Sequence, residues 1–248
     1  MAAARVVFLG SGDAFSAGGR HQAGYLVRSP EGVSLLDCGA STLTAMKQHG
    51  IDTAPIDQIL ISHFHGDHFA GIPFFLLEYT YERPRQRPLR IAGPPGTEER
   101  VRALFSIVYK EPAAHPLPFP LEFIEMLPDV PVVFGELRIE PFRVPHQEKE
   151  ISLGFSLNFA GRRIVYSGDT GWTEELITRS QGADLFICEC SYFDTRQPFH
   201  IDYPRLAEHR SRFTAKRMIL THLGRETLTR HDEIEMELAS DGLAVEIE

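Results

Sequence analysis

Cysteine is scarce in this 248-residue chain: Cys38, Cys188 and Cys190 are the only three. None forms a CxxC pair and each sits in an apolar or strand-like stretch. That argues against a disulfide framework and fits a reducing cytoplasm. Long apolar runs are missing too, so no stretch reaches the length of a membrane-spanning helix. The opening "MAAARVVFLGSG" is short and soon broken by glycine, unlike a signal peptide. Basic charge is in deficit. Lys and Arg number 25 against 34 Asp and Glu, a formal net charge of −9, which argues against a large nucleic-acid footprint. Low-complexity tracts, fixed-period repeats and linkers are also absent. What remains is a chain with 43% hydrophobic residues, enough for a sizeable core. Its length is within reach of one large α/β domain, taken here as residues 1–248.

Short β-rich runs alternate with turns and a few helices. "RVVFLG", "GYLV", "VSLLDCG" and "IDQILIS" read as strands of the first half. "STLTAMKQHG" reads as a helix capped by Ser41 and stopped by Gly50, and "TEERVRALFSIVYK" as one capped by Thr97. "HFAGIPFFLLEY" reads as a buried helix. Eight of the seventeen prolines lie between Pro84 and Pro120, which limits regular structure there to short pieces. In the second half "ELRIEPFRV", "ISLGFSLNF", "RRIVYS", "DLFICE" and "RMILT" read as strands, with helices near 203–213 and 231–239.

The densest signal is "ILISHFHGDHFAG". It puts His63, His65, Asp67 and His68 directly after an apolar run. Gly66 and the β-branched run argue against a helix starting here, so the segment reads as a strand end and a tight loop. Residues two apart on a strand share a face, so His63 and His65 project together. After the turn, Asp67 and His68 can reach back to the same point. Imidazoles with a carboxylate are ligands that zinc and similar divalent metals accept. Such a set arises by chance on the order of once in a thousand chains of this composition. Three more residues of ligand type follow apolar strands: His146, Asp169 and His222. Alone, each has an ordinary reading, as a loop histidine, a turn or helix-cap aspartate, and a core histidine. Together they share one end of a sheet, where α/β sites are built. Seven ligands match the need of two metals, with Asp169 as the bridge.

"HFHGDH" followed in order by His146, Asp169 and His222 resembles the metallo-β-lactamase superfamily over nearly the whole chain. "LLDCG" adds Asp37, which matches the strand-end aspartate that buttresses the metal loop there. The resemblance implies a four-layer αββα sandwich, an α/β fold with a dinuclear site at one edge. It implies that His63, His65 and His146 hold one ion, that Asp67, His68 and His222 hold the other, and that Asp169 bridges them. Within the superfamily the chain is most similar to the ribonuclease Z group and its small phosphodiesterase relatives. The opening "FLGSGDAFSAGGRHQAGYLV", the "SGDTG" around Asp169, and the placing of Glu189 and His200 carry that likeness. In ribonuclease Z, a glutamate and a histidine so placed form a pair beside the leaving group. One departure stands out. Ribonuclease Z carries a tRNA-gripping arm between the third histidine and the bridging aspartate, whereas residues 147–168, 22 in all, are used up here by two strands. The cyclic phosphodiesterases associated with carbon–phosphorus lyase also lack the arm, but they carry an N-terminal cysteine cluster not present here.

These features lead to the expectation of a cytoplasmic, metal-dependent hydrolase. Its two divalent ions are expected to be zinc, with manganese as the alternative. Its expected reaction is phosphodiester hydrolysis of a small or cyclic substrate by a metal-bound hydroxide, with catalytic roles for Asp67, His200 and Glu189. The expected partner is that small molecule, not a large nucleic acid or a membrane, and the resemblance implies a homodimer. Three other readings compete. The same metal site would serve hydrolysis of a lactone, thioester or β-lactam, which does not call for the Glu189/His200 pair. The ribonuclease Z likeness points to tRNA 3′ processing. A metal-dependent sensor without turnover fits poorly with a complete ligand set. Arg83, Arg85, Arg87 and Arg90 read either as a solvated face or as a phosphate contact. His21 and His115 read as loop residues, with lining of the pocket or its rim as the alternative. Trp172 reads as core packing, with stacking on a substrate as the alternative.

Overall fold

The computed structural model describes residues 4–247. Two mixed sheets of seven strands face each other. The first contains β1 (Ala4–Gly10), β2 (Gly24–Ser29), β3 (Gly32–Leu36), β4 (Ile56–Leu60), β5 (Leu89–Gly93) and β6 (Leu121–Glu125). The second contains β7 (Val132–Phe134), β8 (Leu137–Val144), β9 (Ser152–Phe159), β10 (Arg162–Tyr166), β11 (Leu185–Glu189), β12 (Arg217–Thr221) and β13 (Glu237–Leu238). The chain then returns to the first sheet, where β14 (Ala244–Ile247) lies antiparallel beside β1. Each sheet repeats one plan. Three antiparallel junctions lead, up to β3 in one sheet and β10 in the other, and three parallel junctions follow. Parallel strands that begin together also end together, so the loops after β3, β4, β10, β11 and β12 gather at one edge.

The strands are apolar on both faces because both faces are covered. Along β1, Val6 and Phe8 point into the space between the sheets, where they meet Phe155, Leu157 and Tyr166. Val7 and Leu9 point outward, against α3 (Ile72–Leu77) and α4 (Thr97–Val108). On the other sheet Val165, Phe186 and Leu220 are covered by α6 (Glu175–Ser180) and α7 (Tyr203–Glu208). These layers make the αββα sandwich expected for the superfamily. The remaining helices are short: α1 (Thr42–Gln48), α2 (Gly66–Phe69), α5 (Lys110–Ala113) and α8 (Arg225–Thr229).

Several local expectations are corrected. A helix does begin inside the histidine motif: α2 starts at Gly66, with the Phe69 amide donating to the His65 carbonyl. Glycine costs little at a first helical position, where no preceding turn needs its side chain. The buried helix that follows is broken at Gly71, whose Cα lies so close to the next loop that a Cβ would stand 2.2 Å from the Gly39 carbonyl oxygen. Ser41 precedes α1 without capping it, because its hydroxyl accepts instead from the Gln22 amide. Thr97 is the first residue of α4 rather than its cap; Gly96, at φ 89°, fills that place. Residues 231–239 hold a 3₁₀ turn and β13 instead of a helix. The apolar residues Ile234, Met236 and Leu238 recur every second position, and all three pack against the outer face of the second sheet.

Candidate metal centre

The strand-end loops bring the seven candidate ligands together. Among the described residues, His63, His65 and His146 form one group whose ligand atoms lie within 4.8 Å of one another, and Asp67, His68, Asp169 and His222 form a second. Asp169 Oδ2 sits between them. It is 3.2 Å from the Nε2 atoms of His68 and His222, and 3.9 Å from those of His63 and His146. His222 takes its place through a backbone at φ 55°, a left-handed conformation that costs a non-glycine residue energy and is held by its surroundings.

The outer hydrogen bonds decide which ring nitrogen faces inward. His68 donates Nδ1–H to Asp37 Oδ2 at 2.7 Å. Ser62 gives its hydroxyl proton to the same oxygen, so its own oxygen accepts from His63 Nδ1 at 3.0 Å. His146 donates Nδ1–H to the Phe199 carbonyl at 2.9 Å. Ser191 donates to Glu189 Oε2 and accepts from His222 Nδ1 at 2.9 Å. Each of these four imidazoles therefore turns an Nε2 lone pair towards Asp169. His65 differs, facing His146 Nε2 with its Nδ1 at 3.0 Å.

A ring of lone pairs around a carboxylate lacks donors. His63 Nε2 and Asp169 Oδ1 are buried and have no hydrogen-bond partner. Such atoms are costly unless something electropositive lies between them. Left to protein atoms alone, protons must fill that role. Burial opposes charge on His68 and His222, yet Asp169 and Asp67 hold both above the usual imidazole value. Burial also opposes charge on Asp67, but His68 and His222 hold it well below the ordinary carboxylate range. Burial keeps His63, His65 and His146 low and hence neutral, ready to donate lone pairs. The donor set fits divalent cations.

Asp37 organises this shell from behind, at φ 55° and with no exposed surface. Its carboxyl accepts from the Ser62 amide, the Ser62 hydroxyl, His68 and the Tyr166 hydroxyl, each at 2.7 Å. In Asp37→Asn an amide NH₂ would meet three donors that now share one oxygen. The expected result is metal affinity lower by about 10–100-fold, read by competition with a chromogenic chelator. Unchanged affinity would remove Asp37 from the metal shell.

Glu189 ends β11 and is buried, accepting from the Thr170 amide at 2.6 Å. His200 lies in the loop before α7 with Nδ1 3.0 Å from Glu189 Oε1. Its ring centroid is 4.9 Å from that of His146 and 5.7 Å from that of His222, so the pair formed by Glu189 and His200 flanks the cluster. Burial works against its charge, but the Glu189 carboxylate, by charge and hydrogen bond, lifts it to about 9.

Other sequence candidates fall elsewhere. Arg85 donates to the carbonyls of Arg87 and Pro88, Arg87 pairs with Asp57, and Arg90 lies 3.1 Å from Glu122. These three arginines are committed to local structure. His21 bonds Gln48 at 2.8 Å, and His115 lines a cavity with Val101 and Phe105, among residues outside the cluster. Trp172 packs on the outer core under a stacked His209, with ring centroids 4.3 Å apart. Sequence reasoning did not find Ser62, Tyr166 or Ser191. Single hydroxyls beside histidines are common, and only strand register shows which ones meet a ligand.

Known proteins are similar to this chain in sequence and fold. The family model described as Anti-Pycsar protein Apyc1 matches residues 4–243. A ribonuclease Z of Agathobacter rectalis is 30% identical, over 80% of this chain and 80% of its own. Human tRNase Z, short form, superposes with a TM-score of 0.80 at 24% identity, covering 98% of this chain and 99% of that one. A diphosphatase of the PhnP family gives 0.79 at 18% identity, covering 99% and 98%. The ribonuclease Z relatives lend no support to the expectation that a large nucleic acid is excluded as a partner. Among the described residues, no helix is long and apolar enough to cross a membrane.

Proposed function

The chain belongs to the family described as Anti-Pycsar protein Apyc1, is a hydrolase of the metallo-β-lactamase superfamily near its ribonuclease Z and phosphodiesterase branch, and from that premise we propose that it cleaves a small or cyclic phosphodiester in the cytoplasm. The observation that carries this reading is the contact between His200 and Glu189 beside the ligand cluster. Hydrolysis of a lactone, thioester or β-lactam does not call for that pair. An alkoxide leaving a phosphoryl group needs a proton, and an imidazole held protonated by a buried carboxylate supplies one.

The ligand set supports two divalent ions. His63, His65 and His146 would hold one, Asp67, His68 and His222 the other, and Asp169 would serve both. Such ions supply Lewis acidity to the phosphoryl oxygens and lower the pKa of water to about 7. The protein's own groups do the rest. Asp67 is buried, held in its charged form and turned towards His222, so it can accept a hydrogen bond from the attacking water and orient it. Under this reading His200 would protonate the departing oxygen, and Glu189 would fix its ring. Imidazole dominates the ligand set, which favours zinc, although manganese accepts the same mixture.

The ribonuclease Z relative favours a second reading, tRNA 3′ processing. Against it, β9 and β10 form an antiparallel hairpin within residues 147–168, in the place where that group carries its arm. A panel of cyclic nucleotides, small phosphodiesters, lactones, thioesters and precursor tRNA, run with zinc and with manganese, tests both readings. Turnover of small phosphodiesters well above the rest is expected. Position-specific cleavage of precursor tRNA would overturn the substrate class, and dominant lactone or thioester turnover would overturn the chemistry. Light scattering on the same preparation tests the homodimer.

A further inference from the structure

The segment that carries His200 leaves β11 after Glu189, folds as a hairpin and returns into α7. Tyr192 and Asp202 bridge at its base, where the Tyr192 amide donates to the Ile201 carbonyl at 3.3 Å and the Tyr203 amide to the Tyr192 carbonyl at 3.0 Å. Gln197 bridges His200 near the tip. The returning arm belongs to the site. The Phe199 carbonyl accepts from His146 Nδ1, and a Cβ on Gly171, two residues after Asp169, would stand 1.9 Å from the Pro198 carbonyl oxygen.

The outbound arm has little apolar anchorage, since Phe193 is buried but Asp194 and Arg196 are exposed. What holds it is α8. Glu226 Oε2 accepts from the amides of Phe193, Asp194 and Thr195 at 3.2, 3.2 and 3.1 Å, and Oε1 accepts from the Thr195 hydroxyl. Successive amides turned to one point form a nest that holds an anion. The Thr195 hydroxyl and these amides keep the Glu226 carboxyl below its ordinary value, so it is charged at neutral pH. One turn on, the Arg230 guanidinium lies 3.7 Å from the centre of the Phe193 ring and pairs with Asp194. The Gly224 amide donates to the Ser191 carbonyl at 3.1 Å, and the Thr227 hydroxyl reaches the carbonyls of Cys190 and Ser191 at 3.2 Å. One short segment thus supplies the candidate ligand His222 and, four residues later, the anchor of the arm that leads to His200.

We infer that Glu226 is a positioning residue for His200: its carboxylate pins the outbound arm of the hairpin and so keeps the imidazole beside the ligand cluster. This rests on the phosphodiesterase reading above and adds to it a residue outside the cluster. Glu189 fixes the rotation of the His200 ring, whereas Glu226 fixes the backbone that carries it. Without the carboxylate three amides turn to water and the arm drifts. A displacement of about 1 Å at a reacting group costs on the order of 10²-fold in rate.

Glu226→Ala is expected to lower kcat by about 10–100-fold on substrates with alkoxide leaving groups, with KM near that of the parent and ion content unchanged. On a nitrophenyl ester most of the loss should vanish. Glu226→Gln should recover most of the activity, because its oxygen can accept from the same amides and its NH₂ can donate to the Thr195 hydroxyl. A merely structural role lowers the active fraction and hence both substrates alike, so equal losses would overturn the inference, as would full activity in Glu226→Ala. Should Glu226→Ala not fold, Glu226→Asp, one methylene too short for the nest, carries the same comparison. On zinc-loaded protein, the nuclear Overhauser contact between the rings of Tyr192 and His200, whose centroids lie 6.0 Å apart, reads the position without turnover. It should fade in Glu226→Ala and return in Glu226→Gln. A parent protein that shows this pattern but turns over no phosphodiester would sink the proposed function and leave the positioning role standing. Phosphodiester turnover with an unchanged contact in Glu226→Ala would do the reverse.

Discussion

Asp169→Ala is expected to remove bound metal and activity together. Asp169 Oδ2 lies within 3.9 Å of Nε2 on His63, His68, His146 and His222, which come from both groups of candidate ligands. Without it, neutral nitrogen lone pairs converge on one small volume with only Asp67 to offset cationic charge. Two ions about 3.5–4 Å apart repel strongly unless an anion lies between them. Elemental analysis of protein purified without chelator should find about two ions per chain before the substitution and far fewer after it. Phosphodiesterase activity should fall to background in the same samples. An Asp169→Ala protein that keeps its full metal content would overturn the bridging assignment. Thermal melting separates this outcome from misfolding, since added zinc should raise the midpoint of the parent far more than that of the variant.

His200→Ala should behave in the opposite way towards metal. His200 hydrogen-bonds Glu189 and Ser191 and none of the seven candidate ligands directly, so ion content is expected to hold while kcat falls by about 10²–10⁴-fold on substrates with alkoxide leaving groups. On a nitrophenyl ester the loss should shrink, because nitrophenolate departs without a proton. Glu189→Gln adds a pH readout. A carboxylate partner raises the folded-state pKa of His200, so the proton is retained as pH rises through neutrality. Losing that charge lowers the pKa, and the alkaline limb of the kcat profile should move to lower pH. Equal losses on both leaving groups would make His200 a binding residue. No loss on either would return it to the loop surface.

The candidate ligands were legible because period-two geometry and strand-end position are local properties. "HFHGDH" sets four of them, and His146, Asp169 and His222 each follow a readable apolar run. The region around them was less so. The break at Gly71 comes from the Gly39 backbone packed against it, a contact between segments about 30 residues apart in the chain. Residues 231–239 carry helix-forming Glu and Met, and only the free edge of β12 turns two of them into a strand. Ser62, Tyr166 and Ser191 gained their roles from register alone. Asp37 was legible through its family motif, but its four donors were not, because Tyr166 reaches it from the opposite sheet. The arginines of "ERPRQRPLR" show the converse. Their sequence pattern suits phosphate, and the fold spends three of them on carbonyls and carboxylates nearby.

The pairing of β1 with β14 sets an order of events for a chain leaving the ribosome. Ala4 pairs with Ile247, so the first strand waits for nearly the whole of the described chain before its outer edge is covered. Until then β1 presents open amides and carbonyls, the kind of edge that recruits other strands. Asp241, which ties down Ser11 and His21, emerges just ahead of β14. The histidine loop after β4 can therefore form early, while the loop that carries Asp13 and Phe15 is fixed only once Asp241 has emerged. Nascent chains that stall within the second sheet would hold most of the candidate metal ligands on a sheet whose first strand is still unpaired on one side.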